Sequence, residues 1–314
     1  TGSVKDLIKR DADYLRVEVM LATGDAPEMT AAAAYDRDGD RRLTADGREL
    51  NDAARWLETL PVRTFVPDDL RLIKGSPRRR REYLDTLAAR TDPSYRADLR
   101  QYEEALTQRN SLLRSRWCDD ERLFSPWEQI LAQTGVAVAE SRAARLQAFV
   151  GTFQGMYADV TGGPADAIRL VYRSNVAGLD VDTYAARLAE MRQADRQRTF
   201  THLGPHRDDL RLLRRGLDMR ECASQGEQRA ALLTLVLAEW EQAGAGAERP
   251  LLLLDDVMSE LDETRRRALV AVVRRGGQTV ITTTDLRYFS PEEIAQANVV
   301  ELVPEAASRE EAQA

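Results

Sequence analysis

Cysteine is nearly absent from this 314-residue chain: Cys118 and Cys222 lie far apart and match no metal-ligand spacing. That excludes a disulfide scaffold and suits a reducing, cytoplasmic compartment with both thiols unpaired. Long apolar runs are missing too. The most apolar ones, Ala230–Ala238 and Leu251–Leu254, stop at Glu239 and Asp255, far short of the ~20 residues of a membrane-spanning helix. No signal peptide is recognisable, and no membrane partner is expected. Cationic charge is not in excess: 45 Lys and Arg against 52 Asp and Glu give −7. This excludes a protein that coats nucleic acid by bulk charge, though not a local basic patch. Finally, no Gly-x-x-x-x-Gly-Lys-Ser/Thr phosphate-binding loop occurs anywhere. The first residue is Thr1 rather than Met, and Val4–Ile8 already reads as structured sequence. A cut N-terminus is therefore expected.

What is present supports a packed core. Hydrophobic residues make up 43% and charged residues 31%, with 18 Gly and 11 Pro, which excludes a disordered or collagen-like chain. The length suits two domains, or one with a large insertion. From Thr1 to about Val66, β-like runs (Tyr14–Leu21, Thr30–Tyr35, Val62–Val66) alternate with turn clusters such as Asp36–Asp40 and Ala45–Gly47. Asn51 reads as the cap of a short helix over Ala53–Leu60. From Pro77 to Arg198 the spacing turns helical: Leu84, Leu87 and Ala88; Leu99, Tyr102 and Leu106; then a long stretch from Trp127 to about Tyr157. A strand at Ile168–Tyr172 and a helix opened by Asp180 or Asp182 follow. After Thr199 an α/β rhythm returns: strand Leu210–Leu213, helix Glu227–Trp240, strand Leu251–Leu254, helix Glu263–Arg274, strand Thr279–Thr282 and a last strand, Val299–Val303. Uniformly apolar strands between helices predict parallel pairing with both faces covered. The predicted organisation is an α/β lobe over 1–76, a helical insertion over 77–198, a second α/β lobe over 199–303 and a fraying tail over 304–314.

Two local patterns carry chemistry. Leu251–Leu254 runs directly into Asp255 and Asp256, which places two acids at the carboxyl end of a buried strand, the edge where open α/β sheets bind ligands. Beside a nucleotide, Asp255 would hold Mg²⁺ and Asp256 would orient or deprotonate the attacking water. Taken alone, the pair equally fits a solvated strand end or a helix cap. Ser224-Gln225-Gly226-Glu227-Gln228-Arg229 opens an apolar helix. It reads as an anion site at a helix N-terminus and equally as a capping box, and the two are compatible. His202 and His206 are the only histidines. Gly204-Pro205 between them breaks any helix that could make them a zinc pair, so they read as part of a rigid turn. Arg71, Lys74, Arg78, Arg79, Arg80 and Arg81 form a run without an acid. It suits phosphate contacts to DNA or a solvated helix start in which Arg80 or Arg81 pairs with Glu82 or Asp85. No aromatic interleaves it, so base stacking is not indicated there.

Order and spacing join these fragments. The Ser224–Gln228 helix precedes the apolar-Asp-Asp strand; Ser259-Glu260-Leu261-Asp262 follows it, and Thr282-Thr283-Thr284-Asp285 closes the next strand. The succession resembles the second half of an ABC-type ATPase head: signature motif, Walker B, D-loop (Ser259, Asp262) and switch strand (Thr283, Thr284). It departs from that pattern in having Asp256 where a catalytic Glu is usual and a Thr run where a His is usual. Gly204-Pro205-His206-Arg207-Asp208-Asp209-Leu210, the stretch from Pro67-Asp68-Asp69-Leu70 through Lys74-Gly75-Ser76-Pro77 to Arg80-Arg81-Glu82-Tyr83-Leu84-Asp85, and the paired acids within Leu254–Asp262 narrow the resemblance to the RecF family of DNA replication and repair proteins. The matches run in order from about Ser3 to Val303.

The resemblance implies an α/β ABC-ATPase-like head with a mixed or parallel sheet and a helical insertion. It also implies ATP and Mg²⁺ as cofactors, with Ser224–Gln228 acting in trans across a head-to-head homodimer, and slow DNA-stimulated hydrolysis. DNA at gaps or single-/double-strand junctions, RecR and RecO are the implied partners, and recombinase loading the implied role. A structural or nucleotide-proximal role is implied for Gly204–Asp209. The absent phosphate loop then corresponds to a strand–loop–helix unit of about 30 residues expected upstream. A DNA-binding scaffold without nucleotide chemistry is the alternative. An ABC-type head of a transporter or chromosome-organising complex is a third reading, and the lack of long coiled-coil arms speaks against the chromosome-organising version.

Overall fold

The computed structural model describes residues 4–22, 28–53, 56, 57, 60–66, 71–115, 120–244 and 249–302. The Pro67–Leu70 motif, Cys118 and the tail from Val303 lie outside the described residues.

Hairpin chemistry builds the first sheet. Strands β1 (Tyr14–Leu21), β2 (Met29–Asp36), β3 (Arg41–Ala45) and β4 (Arg48–Glu49) pair in that order, all antiparallel. Asp46 and Gly47, both at positive φ (48° and 74°), make the two-residue turn between β3 and β4, the geometry that matches strand twist. The second sheet positions the candidate site. Its central strand β9 (Leu251–Leu254) is flanked by β5 (Val62–Phe65) and β10 (Thr279–Ile281), both parallel to it. The apolar quartet is thus a covered parallel strand, with Leu252 and Leu254 sealed from solvent. A third, antiparallel sheet joins β6 (Ile168–Arg173), β7 (Asp209–Arg214) and β8 (Leu217–Asp218).

Helix α1 (Pro77–Ala89) starts on a proline in the first turn, where its missing N–H is no loss. Helix α2 (Tyr95–Arg114) precedes α3 (Ser125–Thr161), 37 residues long and closed by Gly162 at φ 69°. Gly151 and Gly155 do not interrupt it. Then come α4 (Val181–Glu190, capped by Asp180), α5 (Arg192–Arg198), α6 (Gln225–Gln242), α7 (Glu263–Val273, capped by Asp262) and α8 (Pro291–Ala295).

Phe149, Phe153 and Met156 of α3 pack with Leu252 and Leu254 of β9, Leu233 and Trp240 of α6 and Leu269 of α7. The other end of α3 contributes Leu131 and Ala132 to a second cluster with Tyr102, Tyr184 and Leu188. The strand expected at Val299–Val303 does not form among the described residues: Val299, Val300 and Leu302 are exposed and unpaired with any strand. A β-branched run forms a strand only where a neighbour receives its hydrogen bonds.

Candidate functional site

The site begins where β9 ends. The Asp255 amide donates to the Phe65 carbonyl and the Thr282 amide to the Leu254 carbonyl, each at 3.0 Å. The parallel register therefore carries one residue past the strands and sets Thr282 beside the two acids. Thr282 Oγ1 donates to Asp255 Oδ1 at 2.6 Å and accepts the Asp256 amide at 3.0 Å. One hydroxyl fixes both acidic residues. Asp255 is exposed. Asp256 sits at φ 45°, ψ 30°, a left-handed conformation that costs a side-chain-bearing residue about 1 kcal/mol and turns the chain sharply off the sheet. Its Oδ1 is buried without a hydrogen-bond partner among the described residues. Ser259 closes the turn by donating to the Asp256 carbonyl at 2.9 Å. Asp255, exposed and tethered at one carboxylate oxygen, keeps its other oxygen for Mg²⁺, a hard cation that takes oxygen ligands.

The α6 tip is tied to the Ser259–Asp262 turn after these acids by an ion pair between Arg229 and Glu260. Ser224 caps α6: its Oγ accepts the Glu227 amide at 3.3 Å, and Glu227 Oε2 accepts the Ser224 amide at 2.9 Å. That Ser224 amide, more than the nearby Arg214, holds the Glu227 carboxyl below its ordinary range. Ser224 and Gln225 are exposed, and Gly226 is half-buried. A Cβ at Gly226 would meet Arg265 Nη1 at 3.7 Å, ordinary contact, so the helix start is open. Gln228 is different. It is 2% exposed, and its Nε2 donates to the carbonyls of Met219 (3.0 Å) and Ala223 (3.1 Å). Its amide staples the turn before the helix, so it is removed from the set of groups facing outward. Asp262 caps α7 through the Arg265 amide. Thr283 Oγ1 is engaged with the backbone of Asp285, whereas Thr282 touches the acids.

The Gly204–Asp209 stretch ties the helices to β7. Gly204 has φ 139°, and a Cβ there would come within 2.1 Å of Tyr102 Oη and 2.4 Å of Tyr184 Oη. Only glycine fits. His206 Nε2 lies 2.9 Å from the Thr201 carbonyl, which can only accept, so Nδ1 accepts from the Tyr102 hydroxyl at 2.5 Å. Burial pushes this imidazole down to about 4. Asp208 is buried, bonded to Arg142 and Tyr172, and burial raises its carboxyl. Asp209 binds Arg80 at 2.6 Å, and Arg81 Nη1 donates to the Asp208 carbonyl at 2.9 Å. His202 binds Asp195 at 2.7 Å, and no group of three metal-ligating side chains occurs among the described residues.

These contacts revise the basic run. Arg80 is 4% exposed, with its Nη1 also on the Gly75 carbonyl, so it faces the protein rather than a phosphate. Lys74, Arg78 and Arg79 are exposed, Arg78 pairs with Glu82 at 2.8 Å, and Arg81 is half-buried. Asp209, not Glu82 or Asp85, is the acid that takes Arg80. The resemblance points to Thr283 and Thr284, but it is Thr282 that reaches the acids; its position follows from Ile281 pairing with Leu254. Arg229 and Glu260 gave no sequence signal beyond opposite charge.

No family model matches the chain. Relatives do. The DNA replication and repair protein RecF of Herpetosiphon aurantiacus is 37% identical over 280 residues, spanning 86% of this chain and 72% of the relative. That of Heliobacterium modesticaldum is 35% identical over 305 residues, spanning 94% and 81%. Among solved structures, the recombination mediator protein RecF–ATP of the RecFOR pathway superposes with a TM-score of 0.75 at 28% identity, over 91% of this chain and 78% of that one. A second, RecF–ATPrS, gives 0.71 over 91% and 79%. The α/β head, its parallel sheet and the ordered motifs on it therefore have one source: the chain belongs to the RecF family of DNA replication and repair proteins.

Proposed function

We propose that this chain is the ATP-dependent DNA-binding head of a RecF-type repair protein, working as a head-to-head dimer. One observation carries the reading: Thr282 holds Asp255 and Asp256 together at the carboxyl edge of the parallel strands, with Asp256 Oδ1 buried and unpartnered. Bound Mg²⁺ and ATP would supply Lewis acidity on the phosphate oxygens and the free energy that couples association to release. Asp255 offers its untethered oxygen to the cation. Asp256 orients the attacking water and accepts its proton on the carboxylate. Ser224 Oγ and the first-turn N–H groups at Gln225 and Gly226, unpartnered within a helix, meet phosphate held by a second copy. Gln228 serves by bracing that tip. Lys74, Arg78 and Arg79 contact DNA phosphates without reading sequence, at gaps or junctions, in support of recombinase loading with RecO and RecR.

The test uses protein that includes an upstream phosphate-binding loop. Asp256→Asn should slow ATP hydrolysis at least tenfold while ATP-dependent dimers persist in analytical ultracentrifugation. Ser224→Arg should abolish dimerisation and spare ATP binding by the monomer. Normal hydrolysis by Asp256→Asn refutes the base assignment, and joint loss of dimer and ATP binding in Ser224→Arg refutes action in trans. The alternative scaffold reading predicts that Asp256→Asn is silent throughout.

A further inference from the structure

The loop after α5 carries exposed arginines and the aromatic ring that the Arg71–Arg81 run lacks. Phe200 is 39% exposed on the loop leaving α5. Its ring lies against His202, centroids 4.2 Å apart and planes 32° from parallel, and the Arg207 guanidinium stands 5.6 Å from its centroid. Arg207 and Arg198 are both exposed.

A single exposed phenylalanine is unremarkable. This one is held rigidly. Thr199 at φ 64° turns the chain out of α5, and the Phe200 amide returns to the Asp195 carbonyl. The Thr201 amide donates to Asn110 Oδ1 at 2.8 Å. Asp195 Oδ1 receives both the His202 amide (3.2 Å) and His202 Nδ1 (2.7 Å), which fixes the imbedded edge of the imidazole that supports Phe200. Asp195 is itself fully buried and paired with the fully buried Arg109, whose Nη1 also donates to Thr201 Oγ1. Burying such an ion pair is costly and rarely favourable for stability alone. Here its hydrogen bonds lead to the loop that presents Phe200 and Arg207. Pre-ordering a contact surface in this way removes part of the entropic cost of binding.

We propose that Phe200 and Arg207 form a stacking site for an unpaired base of single-stranded nucleic acid, with Arg207 and Arg198 meeting the adjoining phosphates. An aromatic ring and a planar guanidinium stack on any base, and their charge matches the backbone between bases. A duplex keeps its bases covered and offers nothing to the ring. The loop also adjoins α1: the residue after Arg207 accepts from Arg81 through its carbonyl. The class of partner, including single-stranded DNA at gaps, rests on the nucleic-acid reading above; the residues that meet the unpaired base go beyond it.

The probes are a labelled 20-nucleotide oligothymidine and a 20-base-pair duplex, titrated with this chain by fluorescence anisotropy at several NaCl concentrations. Phe200→Ala should weaken oligothymidine binding roughly tenfold with an unchanged salt slope and leave duplex binding within twofold. Phe200→Trp should restore it. Arg207→Ala should reduce the salt slope by about one phosphate contact, ~0.7 in log–log units. Unaltered oligothymidine binding by Phe200→Ala overturns the site. Equal losses on both probes overturn it as well, as does preferential binding of an acidic peptide. Salt-dependent duplex binding without oligothymidine binding overturns the stacking site while sparing the phosphate contacts at Lys74, Arg78 and Arg79.

Discussion

Replacing His206 with glutamine should flatten the acid limb of the stability curve. In the folded protein the ring accepts from Tyr102 and donates to Thr201, and burial pushes it down to about 4, against an ordinary value of about 6.5 in the unfolded chain. Between those values the unfolded state binds the extra proton, so stability is complete above pH 6.5 and falls as pH drops. Each pH unit removes about 1.4 kcal/mol. The loss is therefore roughly 2 kcal/mol at pH 5 and levels off near pH 4 at about 3 kcal/mol. Asp208, whose carboxyl burial raises, works in the opposite direction, so the wild-type curve alone is not diagnostic. The informative quantity is the difference between wild type and His206→Gln. Urea unfolding followed by tryptophan fluorescence at pH 7.0 and 5.0 should show a pH-dependent loss about 2 kcal/mol smaller in the variant. An identical loss in both proteins, or an imidazole titrating near 6.5 by NMR, would refute the enclosed-ring argument.

Two further substitutions probe the scaffold beneath the sites. Gly204→Ala should destabilise by roughly 3 kcal/mol or more, combining overpacking against two tyrosine hydroxyls with a backbone region reserved for glycine. Gly162→Ala, at φ 69° in open space, should cost only about 1 kcal/mol, and equal effects in thermal melts would contradict the packing claim. Arg109→Met leaves Asp195 buried without its cation and should cost about 3–5 kcal/mol. Combining it with Asp195→Asn should recover part of that loss, and additive effects in urea unfolding would show that the pair is not coupled.

The parallel sheet was legible because an apolar quartet bounded by Pro250 and Asp255 is too short for a buried helix and suits a strand packed between layers, and the acids that follow then emerge at its edge. The α6 cap was legible for a similarly local reason, since Ser224 and Glu227, three residues apart, each bond the other's backbone amide. Arg80 and Gln228 were opaque. Each sits in a motif with exposed neighbours, and only the packing of α1 on β7, or of α6 on the turn before it, decides which residue of the motif points inward. Val299–Val303 misled for the complementary reason: its residue types favour a strand, but pairing depends on a neighbour far away in sequence. Thr282 lay between these cases, because the motif contained it but only the register identified the threonine that reaches Asp255.

Helix α3, about 55 Å long at 1.5 Å per residue, supplies side chains to the apolar cluster beneath the parallel sheet and to the one around Tyr102 and Tyr184. Neither cluster can lose its packing without stripping one end of a helix that the other still needs. A single covalent element thus couples the two clusters: disturbing the packing at Leu131 weakens the support that the same helix gives at Phe153.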